Sequence, residues 1–215
     1  MLQFLTSLSL NNNREWFEKH KGEYLEVKLQ MEQLIQSLLN EIADFDPSIA
    51  DQNPKKCLFR IYRDVRFSKN KQPYKTNFGG FIVPGGKKSG KAGYYLHIEP
   101  GKSFLAGGVY LPEAKILKAI RQEIQYHTQE FSDLINTPTF KQLFKEIYGE
   151  KLKRPPRDFP ADFPQVELLK YKSYALVHYI SDEQITSHDL VPYATNIFKE
   201  MKPFHDFLNR SFIQD

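Results

Sequence analysis

Cysteine is almost absent from the sequence, because Cys57 is the single one among 215 residues. No disulfide can form within the chain, and no zinc site can be built from several thiolates. Since such a chain fits a reducing compartment, we expect a cytoplasmic protein. No apolar run approaches the roughly 18 residues that a membrane helix needs, and the first residues lack the basic segment of a secretory signal. The sequence thus argues against secreted, disulfide-framework and membrane-bound proteins.

The motifs of several common catalytic sites are also missing. None of the six histidines stands in the H-E-x-x-H spacing of zinc proteases, and no G-x-S-x-G is present. The glycine-rich stretch 85–91 nearly matches a phosphate-binding loop, but Ala92 replaces the Mg²⁺-binding hydroxyl, and a predicted strand follows where a helix is required. We interpret this stretch as the lysine-rich tip of a hairpin. We predict no cofactor and no metal, with a metal site assembled from distant histidines and carboxylates as the alternative.

Charge is distributed unevenly along the chain. Residues 1–53 carry 4 basic and 9 acidic side chains, residues 54–102 carry 12 and 2, and residues 103–215 carry 14 and 15. The net charge of +4 therefore has its source in the central stretch. This asymmetry indicates a surface that faces an anion, or else a solvated face whose charge the acidic N-terminal helix balances.

The hydrophobic pattern predicts an α+β fold with a mainly antiparallel sheet flanked by helices, in a single domain over residues 1–215. A long helix is expected from Arg14 to about Ala43, with a break at Gly22 and a buried stripe that includes Leu38. The sheet is expected from residues 58–111 and 171–180, with Leu58–Phe67 as an extended segment. Further helices are predicted over 2–10, from Pro112, over 128–136, 138–148 and 188–201, and from Pro203.

Several longer motifs point to a known family. The chain contains N-N-R-E-W-F-E-K-H-K at 12–21, F-R-I-Y-R-D-V-R-F-S-K-N-K-Q-P-Y-K-T-N at 59–77, G-Y-Y-L-H-I-E-P at 93–100 and G-G-V-Y-L-P-E at 107–113. Together these stretches resemble the family known as domain of unknown function 2461, over nearly the whole chain. The resemblance implies one intact domain and a cytosolic protein, and it implies no reaction, substrate or cofactor.

The stretch 59–77, called here the basic signature, is the first candidate site. Because side chains alternate along an extended segment, one face is expected to be mostly apolar and to meet the core, including Phe59, Ile61 and Phe67. Guanidinium groups hold phosphate or carboxylate through paired hydrogen bonds, and a carboxylate can orient a neighbouring arginine. The alternative is a lattice of arginines and aspartate that fixes a loop on the sheet. The candidate ligand-binding residues are Arg60, Arg63, Asp64, Arg66, Lys69, Tyr74 and Lys75.

His97 is the one candidate catalytic residue. Tyr95, His97 and Glu99 share one face of a predicted strand, which should neighbour the basic signature. A histidine there can act as a general acid or base beside a bound anion. The alternative is a histidine on the sheet surface that is hydrogen-bonded to a neighbour.

Three functions remain open from the sequence. The first is binding of a phosphorylated or carboxylated small molecule in a concave pocket lined by the arginines, Lys75 and His97, with or without catalysis. The second is nucleic-acid binding, in which basic residues spread over a broad face with exposed tyrosine or phenylalanine. The third is a protein-interaction scaffold without catalysis. The pI near 8.9 and the acidic first helix weaken the second.

Overall fold

The structure is a computed structural model that describes residues 1–212. These residues contain ten α-helices, one short 3-10 helix at Pro47–Ile49, and four strands. The strands are β1 (Phe78–Ile82), β2 (Gly93–Ile98), β3 (Phe104–Val109) and β4 (Tyr174–Tyr179). The helices are α1 (Leu2–Leu10), α2 (Arg14–Lys19), α3 (Lys21–Ala43), α4 (Pro54–Cys57), α5 (Ala114–Tyr126), α6 (Thr128–Ile135), α7 (Pro138–Phe144), α8 (Val166–Leu169), α9 (Asp182–Thr186) and α10 (Leu190–Arg210).

The strands form one antiparallel sheet in the order β1-β2-β3-β4, which confirms the predicted α+β class. In the register, Tyr95 lies between Phe81 and Ala106, and His97 lies between Gly79 and Phe104. Alternate residues of each strand therefore point to opposite faces, as a pleated strand requires.

One face of the sheet packs against the two long helices α3 and α10. Ile35 and Leu38 of α3 are fully buried, and burial of one such side chain stabilises the fold by about 1.5–3 kcal/mol. The helices approach closely because glycines stand beneath them. A Cβ added to Gly80 would lie 2.4 Å from Ile35 Cδ1, and one added to Gly107 would lie 2.4 Å from His205 Nε2. Both contacts explain why two glycines are accepted inside strands.

The basic signature is not the extended strand that the sequence predicted. Between residues 58 and 77 the chain makes two isolated antiparallel bridges, Leu58 with Gly80 and Tyr62 with Tyr74, and is otherwise irregular. The expected apolar face is correct for Ile61, which is 2 % exposed, and wrong for Phe67, which is 96 % exposed. The alternation fails because the chain turns after Arg63 and returns on itself to reach Tyr74.

Several predicted helix boundaries also differ from the structure. The helix expected over 138–148 ends at Phe144, and Tyr148 instead forms a bridge with Ala175. The N-terminal helix breaks at His20 rather than at Gly22, where α3 continues without interruption. The two helices expected near the C-terminus are one, because α10 runs through Pro203. Proline removes one backbone hydrogen bond from a helix interior, but Phe204 and Leu208 are buried beyond it and hold the last two turns in place.

No helix in the described residues has both the length and the apolar character to cross a membrane.

Candidate functional site

The face of the sheet opposite α3 and α10, called here the outer face, is partly open to solvent. It carries Tyr95 and His97 of β2, which alternate with the buried Tyr94 and Leu96. The same alternation places Phe104 and Tyr179 on this face. Tyr179 is 69 % exposed, while the other three are partly buried. The outer face is therefore largely aromatic at its surface.

The rings on this face form a continuous line, called here the aromatic ribbon and defined as Phe59, Tyr95, His97, Phe104 and Tyr179. Ring centroids are 6.1 Å apart for Phe59 and Tyr95, 5.8 Å for Tyr95 and Phe104, and 6.1 Å for Phe104 and Tyr179. His97 stacks on Phe104 at 4.4 Å with an interplanar angle of 10°. The ribbon crosses the strands from the β1 edge to the β4 edge.

Gly79 makes this ribbon continuous at its β1 end. Phe59 lies outside β1, and its amide donates to the carbonyl of Gly79 at 3.0 Å. The Tyr95 hydroxyl occupies the space above Gly79, where an added Cβ would lie 2.6 Å from the oxygen. Because Gly79 has no side chain, Tyr95 reaches across β1 to contact Phe59.

Three cations gather at the Phe59 end, and we call Arg60, Lys75 and Lys87 the cation cluster. The Nζ atoms of Lys87 and Lys75 lie 4.8 and 5.5 Å from the centroid of the Phe59 ring. Lys87 comes from the glycine-rich tip between β1 and β2, and its ammonium donates to the carbonyl of Leu58. None of the three cations forms a salt bridge within residues 1–212.

The electrostatics of Lys75 reflect this crowding. Partial burial lowers the pKa of the Lys75 ammonium, and the positive charges of Arg60 and Lys87 lower it further. Burial also lowers the pKa of Lys87. An anion placed among the three side chains would reverse part of both effects, because an opposite charge favours the protonated amine.

A chain of hydrogen bonds runs along β2 beside the cluster. The Tyr95 hydroxyl is 3.0 Å from His97 Nδ1, and His97 Nε2 is 3.2 Å from Glu99 Oε2. Thr76 donates to the other Glu99 oxygen at 2.9 Å, and the Asn77 amide lies 3.4 Å from His97 Nδ1. With Nε2 protonated toward Glu99, Nδ1 is free to accept the proton of Tyr95.

The pKa shifts show where the protons of this chain lie. Burial is the main reason why the pKa of Tyr95 is raised to about 12, so the phenol is protonated at neutral pH and donates. Burial lowers the pKa of His97, and the hydrogen bond to Glu99 opposes this. The predicted sharing of one strand face by Tyr95, His97 and Glu99 is what the structure has. Because the two shifts keep the proton on the phenol, the chain orients the Tyr95 hydroxyl rather than moving a proton along β2.

The remaining residues of the basic signature lie away from the outer face or are already paired. Arg66 makes a two-bond ion pair with Asp64, at 2.6 and 2.9 Å. Arg63 donates to the Gln72 carbonyl at 3.1 Å and to the Ser68 hydroxyl at 3.4 Å. These contacts are the ones expected from the alternative interpretation, in which arginines and an aspartate fix the loop. They shape the loop that carries the exposed Phe67.

The other two candidate ligand-binding residues, Lys69 and Tyr74, lie in different surroundings. Lys69 is exposed on the same loop. Tyr74 is 3 % exposed and stacks on Phe17 with centroids 4.0 Å apart. The structure thus brings Lys75 and His97 to the outer face, and the charge of Arg60 lies near enough to act on both Lys75 and Asp64. Arg63, Arg66, Lys69 and Tyr74 are paired, exposed or buried away from this face.

Sequence reasoning missed several residues of this face. Lys87 was visible only as part of a lysine-rich tip, with no indication that the tip folds back to Leu58. Phe104 starts one predicted strand, and Tyr179 is the next-to-last residue of another. The period of two was the available signal for the face on which each of them lies. Phe59 was assigned to the core, but it is 41 % exposed.

Two clefts, of about 640 and 1140 Å³, lie away from the basic signature, and neither is lined by the cation cluster. The concave pocket around the signature stays a prediction. The larger cleft, called here the β4 groove, lies beside β4 and is reached by Tyr179, Tyr110 and Tyr148. It also contains Leu111 and Lys145, which have φ of 45° and 64°, a backbone conformation that costs energy in residues with a Cβ.

No group of three or more histidine, cysteine, aspartate or glutamate side chains within residues 1–212 is arranged to hold a metal ion.

Comparison with known families gives one match. Residues 1–207 match the model of a family described as "Conserved hypothetical protein (DUF2461)". No curated protein and no solved structure matches the chain.

Proposed function

The chain belongs to the family of conserved hypothetical proteins described as DUF2461, as its motifs predicted, and because that description names no activity we propose a function from the outer face alone. We infer that the protein binds a phosphate-bearing ligand at the cation cluster. The ligand's phosphate would lie among Arg60, Lys75 and Lys87, and its flat apolar part would lie on the aromatic ribbon.

The observation that carries this proposal is the unneutralised charge of the cation cluster. Two lysine ammonium groups, those of Lys75 and Lys87, lie over one aromatic ring, and the charge of Arg60 acts on Lys75. None of the three cations forms a salt bridge within the described residues, although the charge of Arg60 also reaches Asp64, and the pKa of both ammonium groups is lowered. Such an arrangement is destabilised by repulsion until an anion enters it. A phosphate matches it better than a carboxylate, because it brings up to two negative charges and three acceptor oxygens.

The hydrogen-bond chain of β2 adds a polar contact to the proposed site. Tyr95 lies between Phe59 and His97, and its hydroxyl donates its one proton to His97 Nδ1. The phenol oxygen can therefore accept a hydrogen bond from a protonated ligand oxygen, and the phenol stays neutral across the physiological range because its pKa is raised to about 12. We therefore place Tyr95 as a contact to the ligand and His97 as a group that positions its proton.

The test is a titration of the purified protein with inorganic phosphate, phenyl phosphate and uridine monophosphate, followed by calorimetry. Lys87→Met should weaken binding of all three by roughly 5- to 30-fold, since one charge-assisted contact at a half-exposed position contributes about 1–2 kcal/mol. The matched control is Lys88→Met, which removes the same charge from the next residue of the same exposed tip. The proposal fails if the two variants bind equally well, or if the wild-type protein binds none of the three compounds.

A further inference from the structure

We propose that the phosphate-bearing ligand is single-stranded nucleic acid, with its backbone held at the cation cluster and its bases stacked along the aromatic ribbon as far as Tyr179. This inference rests on the proposed phosphate binding and names the class of ligand that the same face takes. It comes from the shape of the outer face, which is an open strip rather than a pocket.

The length of the ribbon is the first reason. From Phe59 to Tyr179 the ring centroids follow one another in three steps of 5.8–6.1 Å. A small phosphorylated ring compound covers one or two of these steps, so it cannot touch Tyr179 while its phosphate stays at the cluster. A strand of about four nucleotides, the lower limit of site sizes in single-strand binding folds, covers the whole ribbon.

The exposure of Tyr179 is the second reason. It lies at the end of an edge strand with 69 % of its surface exposed, and its ring contact on the ribbon is the edge-on contact with Phe104. One face of the ring is therefore available to a flat partner. Exposed aromatic rings on the surface of an antiparallel sheet are a platform on which unpaired bases stack with little sequence preference.

The surface beyond Tyr179 also carries exposed aromatic rings and lysines. Tyr179 also lines the β4 groove, where Tyr110 and Tyr148 are 66 % and 48 % exposed. Lys145 and Lys151 line this groove too, beside Glu146 and the Lys172–Glu150 ion pair, and neither lysine forms a salt bridge in the described part of the chain. Unpaired lysines thus stand at both ends of the exposed aromatic surface, which is complementary to a chain of phosphates.

A single strand fits this face better than a duplex does. Bases inside a duplex are stacked on one another and present only their edges and backbone, so they cannot cover rings on a sheet. A single strand leaves both faces of its bases free. A strand of about five nucleotides contacts the three cluster cations and does not extend to Lys145 and Lys151, so its ionic contribution should be modest. Three cations correspond to about three phosphates, and a log–log salt slope near −2 follows from about 0.7 per phosphate for single strands.

The experiment measures fluorescence anisotropy of labelled oligo(dT) of 2, 5, 10 and 15 nucleotides, with a 15-base-pair duplex as comparison. Affinity should rise with length up to about five nucleotides and fall with salt with a slope near −2. Tyr179→Ala should weaken binding of the ten-nucleotide strand about tenfold or more, because one stacking partner is lost. Binding of inorganic phosphate and thymidine monophosphate should not change in that variant.

The matched control is Tyr126→Ala, since Tyr126 is 76 % exposed on α5, which packs on α10 rather than on the outer face. The inference is overturned if longer strands bind no more tightly than the mononucleotide, if both tyrosine variants bind alike, or if the duplex binds as well as the single strand. The proposed function survives each of these outcomes if the wild-type protein still binds phosphate and Lys87→Met binds it more weakly. Loss of all phosphate binding in the wild-type protein would end both.

Discussion

His205 should make the protein sensitive to mild acid. Its side chain is 1 % exposed in α10, packs edge-on against Tyr94 at 4.6 Å, and has no hydrogen-bond partner for either ring nitrogen within the described residues. Burial is the main reason why the pKa of His205 is lowered to about 3; nearby Asp46 opposes the effect and Lys202 adds to it. The native state therefore keeps this imidazole neutral in conditions where the unfolded chain protonates it.

The size of the effect follows from that difference in pKa. Below pH 6.5 the unfolded state binds a proton that the native state refuses, so stability falls as the pH falls toward 3. For a folded pKa of about 3 and an unfolded pKa of about 6.5, the loss between pH 8 and pH 5 is about 2 kcal/mol. A domain of this kind has only about 5–15 kcal/mol of stability, so the loss is measurable.

Urea unfolding at pH 8, 6 and 5 measures this directly. His205→Leu removes the titrating group and two unsatisfied nitrogens at similar volume, so its free energy of unfolding should fall by about 2 kcal/mol less than that of the wild type over this range. The control is His188→Gln, at an exposed position, which should follow the wild type. Equal pH dependence for His205→Leu and the wild type, or a histidine resonance of His205 that titrates near pH 6.5, would refute the reasoning.

Three further predictions concern the core and the outer face. Gly79→Ala should displace Tyr95 by steric overlap, lowering the melting temperature and weakening phosphate binding; unchanged calorimetry would contradict the role of this glycine. Phosphate affinity should begin to fall at a lower pH than an ordinary lysine allows, because the lowered pKa values of Lys75 and Lys87 make both amines lose their protons early, and Lys75→Met should reduce that pH dependence. Leu38→Asp should cost several kcal/mol by burying an unpaired charge, seen as a large shift in thermal unfolding.

The sequence was sufficient where a local pattern decides the structure. The period of two in Tyr94–Ile98 placed His97 beside Tyr95 on one face, and the spacing of Met31, Ile35 and Leu38 placed the buried stripe of α3. His205 was not predicted in this way, because the expected break at Pro203 separated it from Met201, and only the continuous α10 places both residues on one face.

The rest depended on contacts between residues that are distant in the sequence. Phe59 and Lys87 meet because the tip after β1 folds back to Leu58, and no spacing along the chain encodes that contact. The sequence pattern also did not show which arginines of the basic signature are paired. Arg63 and Arg66 are satisfied by partners within nine residues, whereas Arg60 has no salt bridge in the described residues and its charge acts on Lys75.

The place of β4 at the end of the sheet has a consequence for how the chain folds. The turn between β2 and β3 is residues 99–103, but β4 joins β3 only after the excursion of residues 110–173. Closing the longer connection costs about 2 kcal/mol more in chain entropy, so the hairpins of β1 to β3 should form first and β4 with α10 should dock late. Until then β3 is an unpaired edge with glycines exposed on it, and a chain that ends before Tyr174 should aggregate through this strand.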